Sequence, residues 1–173
     1  MGSRRHEAVV IVKRLLSIEL VPKSNWYNNV RSHVSRDEWN AIRNYFMKPS
    51  CAYCGYKGRL FCHEVWLYND TLYIQRLKGF ESVCFLCHSV KHLGFAEVMV
   101  KEGCIEYSEL VGHYCRVNGC TREDFERDRK EAFELWWERS QSKWTLDLSY
   151  LERYVFRKVR GITTLLTLKE SLF

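Results

Sequence analysis

Cys51-Ala52-Tyr53-Cys54 and Cys84-Phe85-Leu86-Cys87 bracket the stretch that decides the fold of this chain. A Cys-x-x-Cys turn offers two thiolates at one edge of a tetrahedron, and a structural zinc ion takes four such ligands. The four other cysteines, at positions 62, 104, 115 and 120, do not have this spacing. The sequence therefore predicts a structural Zn²⁺ site made by Cys51, Cys54, Cys84 and Cys87.

Length and composition indicate one globular domain. The chain has 173 residues, of which 46% are hydrophobic, with six Trp and only two Pro. This is a common domain size with enough apolar mass for a core. We find no apolar run long enough to span a bilayer and no signal-peptide pattern. We therefore expect a cytoplasmic protein that does not act at a membrane and whose cysteines stay reduced.

The net charge of +6 is unevenly distributed. Residues 1–50 carry nine Lys or Arg against four Asp or Glu, residues 51–150 carry thirteen against fifteen, and residues 151–173 carry five against two. A basic head and tail suit a polyanion such as nucleic acid. The same charges are also typical of a solvated surface without a partner, and the charge alone leaves both interpretations open.

Local patterns predict the elements around the cysteines. Ser35 and Glu38 form a capping box that begins a helix ending near Pro49. A hairpin is expected from strands at 59–68 and 72–77, followed by helices at 88–95, 106–117 and 121–140. Residues 9–12 favour a strand, although the leucines that follow also permit a helix. Residues 153–160 suit either a surface helix or a phosphate-binding segment.

A hairpin followed by a helix, with His63 on the first strand and His88 on the helix, resembles the HNH endonuclease family. Residues 35–100 carry this resemblance. Cys-His-Glu-Val-Trp at 62–66, Gln-Arg-Leu at 75–77 and Cys-His-x-Val-Lys-His at 87–92 are similar to a small group of bacterial and phage HNH-type proteins, over residues 22 to about 150.

The resemblance implies a fold class and an activity. We expect an α+β fold in which a small ββα-metal (His-Me) finger with a four-cysteine zinc site is embedded in a mainly helical single domain. Residues 1–50 would support the finger at 51–100, and residues 101–173 would form a helical part with a basic tail. The implied activity is metal-dependent hydrolysis of phosphodiester bonds in DNA, leaving a 5′-phosphate.

The expected catalytic residues are His63 and Glu64, and the expected ligands of a second, catalytic metal (Mg²⁺, Mn²⁺ or Zn²⁺) are His88 and His92. The two ligand histidines are four positions apart, so their rings lie on one face of a helix. Two assignments remain open. In the first, His63 is the general base and Cys62 or Glu64 approaches the metal. In the second, His63 is a third ligand and Glu64 is the base.

The sequence departs from the family pattern at three positions. Cys62 replaces the acidic residue or histidine that usually precedes the catalytic histidine, Gly79 stands at the place of a central asparagine, and Glu64 follows His63. Cysteine is a poor ligand for Mg²⁺, so Cys62 is expected in the core. His113 has no motif around it and is expected to be structural.

The expected partner is nucleic acid, specifically double-stranded DNA, contacted by Lys91, Arg157, Lys158 and Arg160. The aromatic stripe at Phe125, Phe133, Trp136 and Trp137 is expected to be core rather than a base-stacking platform. The alternative function is that of a zinc-stabilised protein with a decayed active site, which binds nucleic acid or a host or phage protein.

Overall fold

The computed structural model describes residues 14–168, so the strand expected at residues 9–12 lies outside the described part of the chain. The fold is mixed, with five α-helices and five β-strands in this range. The helices are α1 (Arg36–Phe46), α2 (Phe85–Lys91), α3 (Leu93–Lys101), α4 (Tyr107–Asn118) and α5 (Arg122–Arg139). The strands are β1 (Leu60–Asn69), β2 (Ile74–Cys84), β3 (Thr145–Asp147), β4 (Tyr154–Val159) and β5 (Ile162–Thr167).

The capping box of α1 is confirmed. The Ser35 hydroxyl accepts a hydrogen bond from the Glu38 backbone N–H, and the Glu38 carboxylate accepts one from the Ser35 backbone N–H at 2.7 Å. These two bonds satisfy donors that would otherwise be unpaired at the start of the helix. Helix α5 begins with an equivalent box between Thr121 and Asp124.

The predicted hairpin is present, and it is longer than expected. Strands β1 and β2 pair antiparallel from Leu60 opposite Cys84 to Asn69 opposite Ile74, with an irregularity between Val65 and Trp66. The Asn69 side chain accepts hydrogen bonds from two backbone N–H groups in the turn, as expected for asparagine at this position. Strand β3 adds to β2 in parallel and completes a three-stranded sheet.

The β1–β2 hairpin separates two hydrophobic clusters. The larger cluster combines α2, α4 and α5 with the residues around the paired cysteines, and the smaller combines α1 with Leu77, Leu165 and neighbouring aromatic rings. Successive side chains of a strand point to opposite faces. His63 therefore faces the larger cluster, and Glu64 faces α1.

The helical segment after β2 is divided at His92. The sequence predicts one helix over 88–95, but α2 ends at Lys91, and α3 begins at Leu93. His92 is the boundary residue of both helices, with φ −100° and ψ 46°. The predicted helices at 106–117 and 121–140 are confirmed to within a residue or two as α4 and α5.

The C-terminal basic segment is a β-hairpin rather than a helix. Strands β4 and β5 pair antiparallel, from Tyr154 opposite Thr167 to Val159 opposite Ile162. Leu165 of this hairpin is buried in the smaller cluster, on the α1 side of the sheet. On α5, Phe125 is fully buried as expected, but Trp137 is 58% exposed and lies outside the core.

An N-terminal segment, residues 14–22, packs across the larger cluster. The Asn118 side chain bonds both the N–H and the carbonyl of Leu16, each at 2.9 Å, and Arg14 pairs with Asp128. The Glu19 backbone N–H donates to the carbonyl of Lys91 at 2.9 Å. These contacts tie the segment to α2, α4 and α5. Within residues 14–168, no helix is long and apolar enough to cross a membrane.

Candidate metal centres

The four predicted cysteines converge where β1 begins and β2 meets α2. Cys51 and Cys54 lie in the turn before β1, Cys84 ends β2, and Cys87 lies in the first turn of α2. Their sulfur atoms all lie within 4.8 Å of one another, and Cys54 Sγ is 3.5 Å from Cys84 Sγ. Bonds of about 2.3 Å to a tetrahedral zinc ion place sulfurs about 3.8 Å apart. The cluster therefore has the ligands and the size for a structural metal.

Backbone and imidazole groups surround the sulfurs with hydrogen-bond partners. Burial raises the pKa of the Cys51 thiol, but hydrogen bonds from the backbone at Cys54, Cys84 and Tyr53 outweigh it and lower that pKa to about 7. The ring Nε2 of His113 lies 3.0 Å from Cys87 Sγ. His113 on α4 is thus a structural histidine with a definite partner, and it contacts the cysteine cluster.

A second group consists of three histidines. His63 from β1, His88 from α2 and His92 from the α2–α3 boundary bring one ligand atom each to within 4.8 Å of the others. Their ring centroids are 4.6–5.5 Å apart. His63 is only 3% exposed. Phe61, two positions before His63, stacks on His88 with an interplanar angle of 7° and fixes that ring.

Two of the imidazoles are kept neutral by their surroundings. Burial, the largest cause, lowers the pKa of His88 to about 4 together with the nearby His63 and Lys91. Burial likewise lowers the pKa of His92 to about 3, again with a contribution from His63. Neutral imidazole is the form that binds metal ions, so both rings have a free lone pair at neutral pH.

A carboxylate and a buried ammonium group border the histidines. Glu19 Oε2 lies 3.5 Å from His63 Nε2, and Glu19 Oε1 lies 2.7 Å from Lys91 Nζ. Burial raises the pKa of Glu19, but the contact with His63 and the Lys91 charge outweigh it and bring that pKa to about 2. Glu19 is ionised at neutral pH. Glu19 was not predicted as a site residue, because no local sequence motif marks residues 14–22 as part of a site.

Glu64 and Cys62 lie on the α1 side of the sheet, away from the histidines. Glu64 Oε1 accepts a hydrogen bond from the Val30 backbone N–H at 3.1 Å. Cys62 is half-buried and lies in neither core cluster, although it was expected in the core, and burial raises the pKa of its thiol to about 11. Gly79 pairs with Val65 beside the irregularity in the hairpin. The structure thus brings His63 to the two helix histidines but does not bring Glu64 to them.

The four expected nucleic-acid contacts fall in two different environments. Lys91 is 1% exposed, and its ammonium group is paired with Glu19, so this side chain is not available at the surface. Arg157, Lys158 and Arg160 are exposed on the β4–β5 hairpin. That hairpin packs on the α1 side of the sheet, whereas the three histidines lie on the α2 side.

The chain was compared with protein-family models, curated proteins and solved structures, and none of them matches it significantly. The function of this protein is therefore inferred from the two centres themselves.

We predict that Cys54→Ser or Cys84→Ser removes the metal of the four-cysteine centre and unfolds the region around it, because metal binding contributes to the free energy of folding. Elemental analysis and thermal unfolding measure both effects. Cys104→Ser is the matched control, since Cys104 is an exposed cysteine outside the cluster. Full zinc occupancy in either cluster variant contradicts the four-thiolate assignment.

The raised pKa of Glu64 predicts how the stability of the fold depends on pH. Burial raises the pKa of Glu64 from 4.5 to about 7. Backbone hydrogen bonds from Val30 and Arg31 and the charge of Arg31 lower this pKa, but burial outweighs them. The folded state therefore holds the proton more tightly than the unfolded state, and stability falls as the pH rises from about 4.5 to about 7. Glu64→Gln keeps an oxygen for Val30 and removes this dependence.

We expect the stability of Glu64→Gln to exceed that of the natural chain by an amount that grows as the pH rises from about 4.5 to about 7. At pH 8 the difference should reach up to about 3 kcal/mol. Urea unfolding at pH 4.5 and pH 8 measures the difference. Glu131→Gln, at an exposed position of α5, is the control. A stability difference that does not change with pH contradicts the prediction.

Proposed function

We propose that this protein is a metal-dependent endonuclease that hydrolyses phosphodiester bonds in double-stranded DNA. The observation that supports it best is the convergence of His63, His88 and His92 on one face of a hairpin followed by a helix, next to a four-cysteine centre. This arrangement agrees with the order of elements that the HNH resemblance implies.

The donor set narrows the choice of catalytic metal. Three neutral imidazoles suit Zn²⁺ and other ions that prefer nitrogen, whereas Mg²⁺ prefers oxygen ligands in an octahedral arrangement. In a tetrahedral zinc site the nitrogens lie about 3.4 Å apart, so the histidine ligand atoms approach one another by up to about 1.4 Å on binding. A bound divalent ion with an open position would supply charge neutralisation at the phosphate and an activated water.

The placement of His63 favours its role as the third ligand over its role as the general base. Its ring lies within the group that contains His88 and His92, and its buried position leaves little room for a substrate beside it. Glu64, which would be the general base if His63 is a ligand, accepts a hydrogen bond from the Val30 backbone N–H instead. We therefore assign His63, His88 and His92 to the metal and treat Glu64 as a residue that affects stability.

Arg59 is suited to contact the substrate near this centre. Its guanidinium group lies 5.6 Å from the Phe61 ring centroid, and Phe61 stacks on His88. Arg59 is exposed and has no carboxylate partner within residues 14–168. An unpaired cation at the rim of a metal centre attracts a phosphate backbone.

We predict that His63→Ala, His88→Ala and His92→Ala each lose the second metal while retaining zinc in the four-cysteine centre. Cleavage should fall by at least 10²-fold in each variant, because the metal supplies the electrostatic stabilisation of the transition state. Metal stoichiometry and plasmid nicking, with and without EDTA and with added Zn²⁺, Mn²⁺ or Mg²⁺, measure these outcomes. His33→Ala is the matched control, since His33 is exposed and outside the group.

The outcomes separate the possible roles of His63. If His63→Ala keeps the second metal but loses cleavage, His63 is the general base and our assignment is wrong. If the natural chain binds a second metal yet cleaves neither DNA nor RNA with any divalent ion, the nuclease proposal fails. If it binds zinc only at the four cysteines and does not cleave, the protein is a zinc-stabilised binder.

We also predict that Arg59→Ala weakens DNA binding and reduces the slope of log affinity against log salt by roughly 0.9, the value for one phosphate contact on duplex DNA. Fluorescence anisotropy at several salt concentrations measures the slope. The triple variant Arg157→Ala, Lys158→Ala, Arg160→Ala tests the β4–β5 hairpin, where each lost contact should lower the slope by a similar amount. An unchanged slope for either variant removes that surface from the interface.

A further inference from the structure

Glu19 reaches the histidine centre from a distant part of the sequence. Its Oε2 atom lies 3.5 Å from Nε2 of His63, and His63 is 3% exposed. Within the described part of the chain, this Nε2 is a buried polar atom that has no hydrogen-bond partner. A buried ring nitrogen without a partner is uncommon, and it points to a contact that is completed under other conditions.

The position of Glu19 is fixed by several contacts on its other side. Oε1 accepts hydrogen bonds from Lys91 Nζ at 2.7 Å and from the Ser17 hydroxyl at 3.0 Å. The Glu19 backbone N–H donates to the Lys91 carbonyl at 2.9 Å. Oε1 is thus fully engaged, and Oε2 is left facing His63. The carboxylate is therefore held in place, unlike a mobile surface side chain.

We propose that Glu19 is a positioning residue of the histidine centre, which accepts a hydrogen bond from Nε2–H of His63 and so directs Nδ1 of that ring to the metal. This inference depends on the proposed binding of a metal by the three histidines. Metal-bound histidines commonly donate their second ring N–H to a carboxylate, which fixes the tautomer and the ring orientation. A shortening of the 3.5 Å contact by a few tenths of an ångström gives an ordinary hydrogen bond.

The geometry separates this role from direct ligation. The group whose ligand atoms all lie within 4.8 Å of one another contains the three histidines and does not contain Glu19. The ion-pair contact of Glu19 with the group is made at Nε2 of His63. A partner of one ring fits this placement better than a fourth ligand.

Glu19 also offsets a charge that would oppose metal binding. Lys91 lies on α2 between His88 and His92, and it is 1% exposed. Without a counter-charge, its ammonium group would repel a divalent ion at the histidines, because the interaction is weakly screened in the interior. Glu19 at 2.7 Å and Glu81 at 4.0 Å provide that counter-charge.

The test is the affinity of the second site for Co²⁺, measured by its visible absorption in full-length protein already carrying zinc at the four cysteines. We expect Glu19→Gln to weaken Co²⁺ binding by about 10- to 100-fold, the usual effect of losing such a partner. Asp128→Asn is the matched control, because it removes the 2.6 Å Arg14–Asp128 ion pair, one of the contacts that hold the same segment, and leaves Glu19 unchanged. An unchanged affinity in Glu19→Gln overturns the inference, and so does an equal loss in the control.

A second pair of variants separates positioning from charge. Glu19→Gln alone leaves the buried Lys91 with only Glu81, at 4.0 Å, as a counter-charge, which threatens folding. The Lys91 charge is absent from two variants, the single variant Lys91→Met and the double variant Lys91→Met, Glu19→Gln. These two differ only at Glu19. A Co²⁺ affinity at least about 10-fold weaker in the double variant supports positioning through His63. Equal affinities in the two overturn it. A Co²⁺ spectrum that changes coordination number in Glu19→Gln also overturns it, since Glu19 is then a direct ligand.

These outcomes are distinct from failure of the proposed function. If the natural chain takes up no Co²⁺ beyond the four-cysteine centre, the histidine site itself is absent and the proposed function fails with it. If the natural chain binds Co²⁺ and Glu19→Gln binds it equally well, only the role of Glu19 is lost.

Discussion

The meeting of four cysteine sulfurs at the junction of β2 and α2 is the constraint on which the rest of the structure depends. The sulfurs lie within 4.8 Å of one another and connect the turn before β1 to the first turn of α2. A metal bound at this point would fix the direction in which α2 leaves the hairpin. Because His88 follows Cys87 directly, the same constraint sets the position of the helix histidines relative to His63 on β1.

A network of charges around the buried Lys91 connects the two centres. Lys91 contacts Glu19 and Glu81, and its ammonium group lies 4.8 Å from the ring centroid of Tyr53. Tyr53 lies between Cys51 and Cys54, and its hydroxyl donates to Glu81. Buried charges are tolerated only when they are paired. The network therefore joins the cysteine turn, α2 and the N-terminal segment.

The two faces of the β1–β2 hairpin carry different residues and contact different helices. One face carries Phe61 and His63 toward α2, where Phe61 stacks on His88 and burial lowers the pKa of His88. The other face carries Cys62 and Glu64 toward α1, where both side chains are in a setting that raises their pKa. Adjacent residues of one short motif are thus separated by the alternation of a strand. This separation places His63 beside His88 and His92 and places Glu64 on the opposite face of the hairpin, against the Val30 backbone.

The sequence alone determined what depends on local spacing. Three predicted features are present in the fold: the paired Cys-x-x-Cys turns, the capping box at Ser35 and the hairpin with its Asn69 turn. The capping box and the turn join residues close in sequence, and the cysteine turns supply the four ligands that a structural zinc ion requires. Tertiary structure alone decided which residues complete the centres. Glu19 meets Lys91 across 72 positions, and His113 meets Cys87 across 26. Such contacts depend on how the helices and the N-terminal segment pack, and neither residue type nor periodicity specifies that packing. Lys91 was expected at the surface as a phosphate contact, but it is buried. The reason is the same, because its neighbours come from elements that only the packed core brings together.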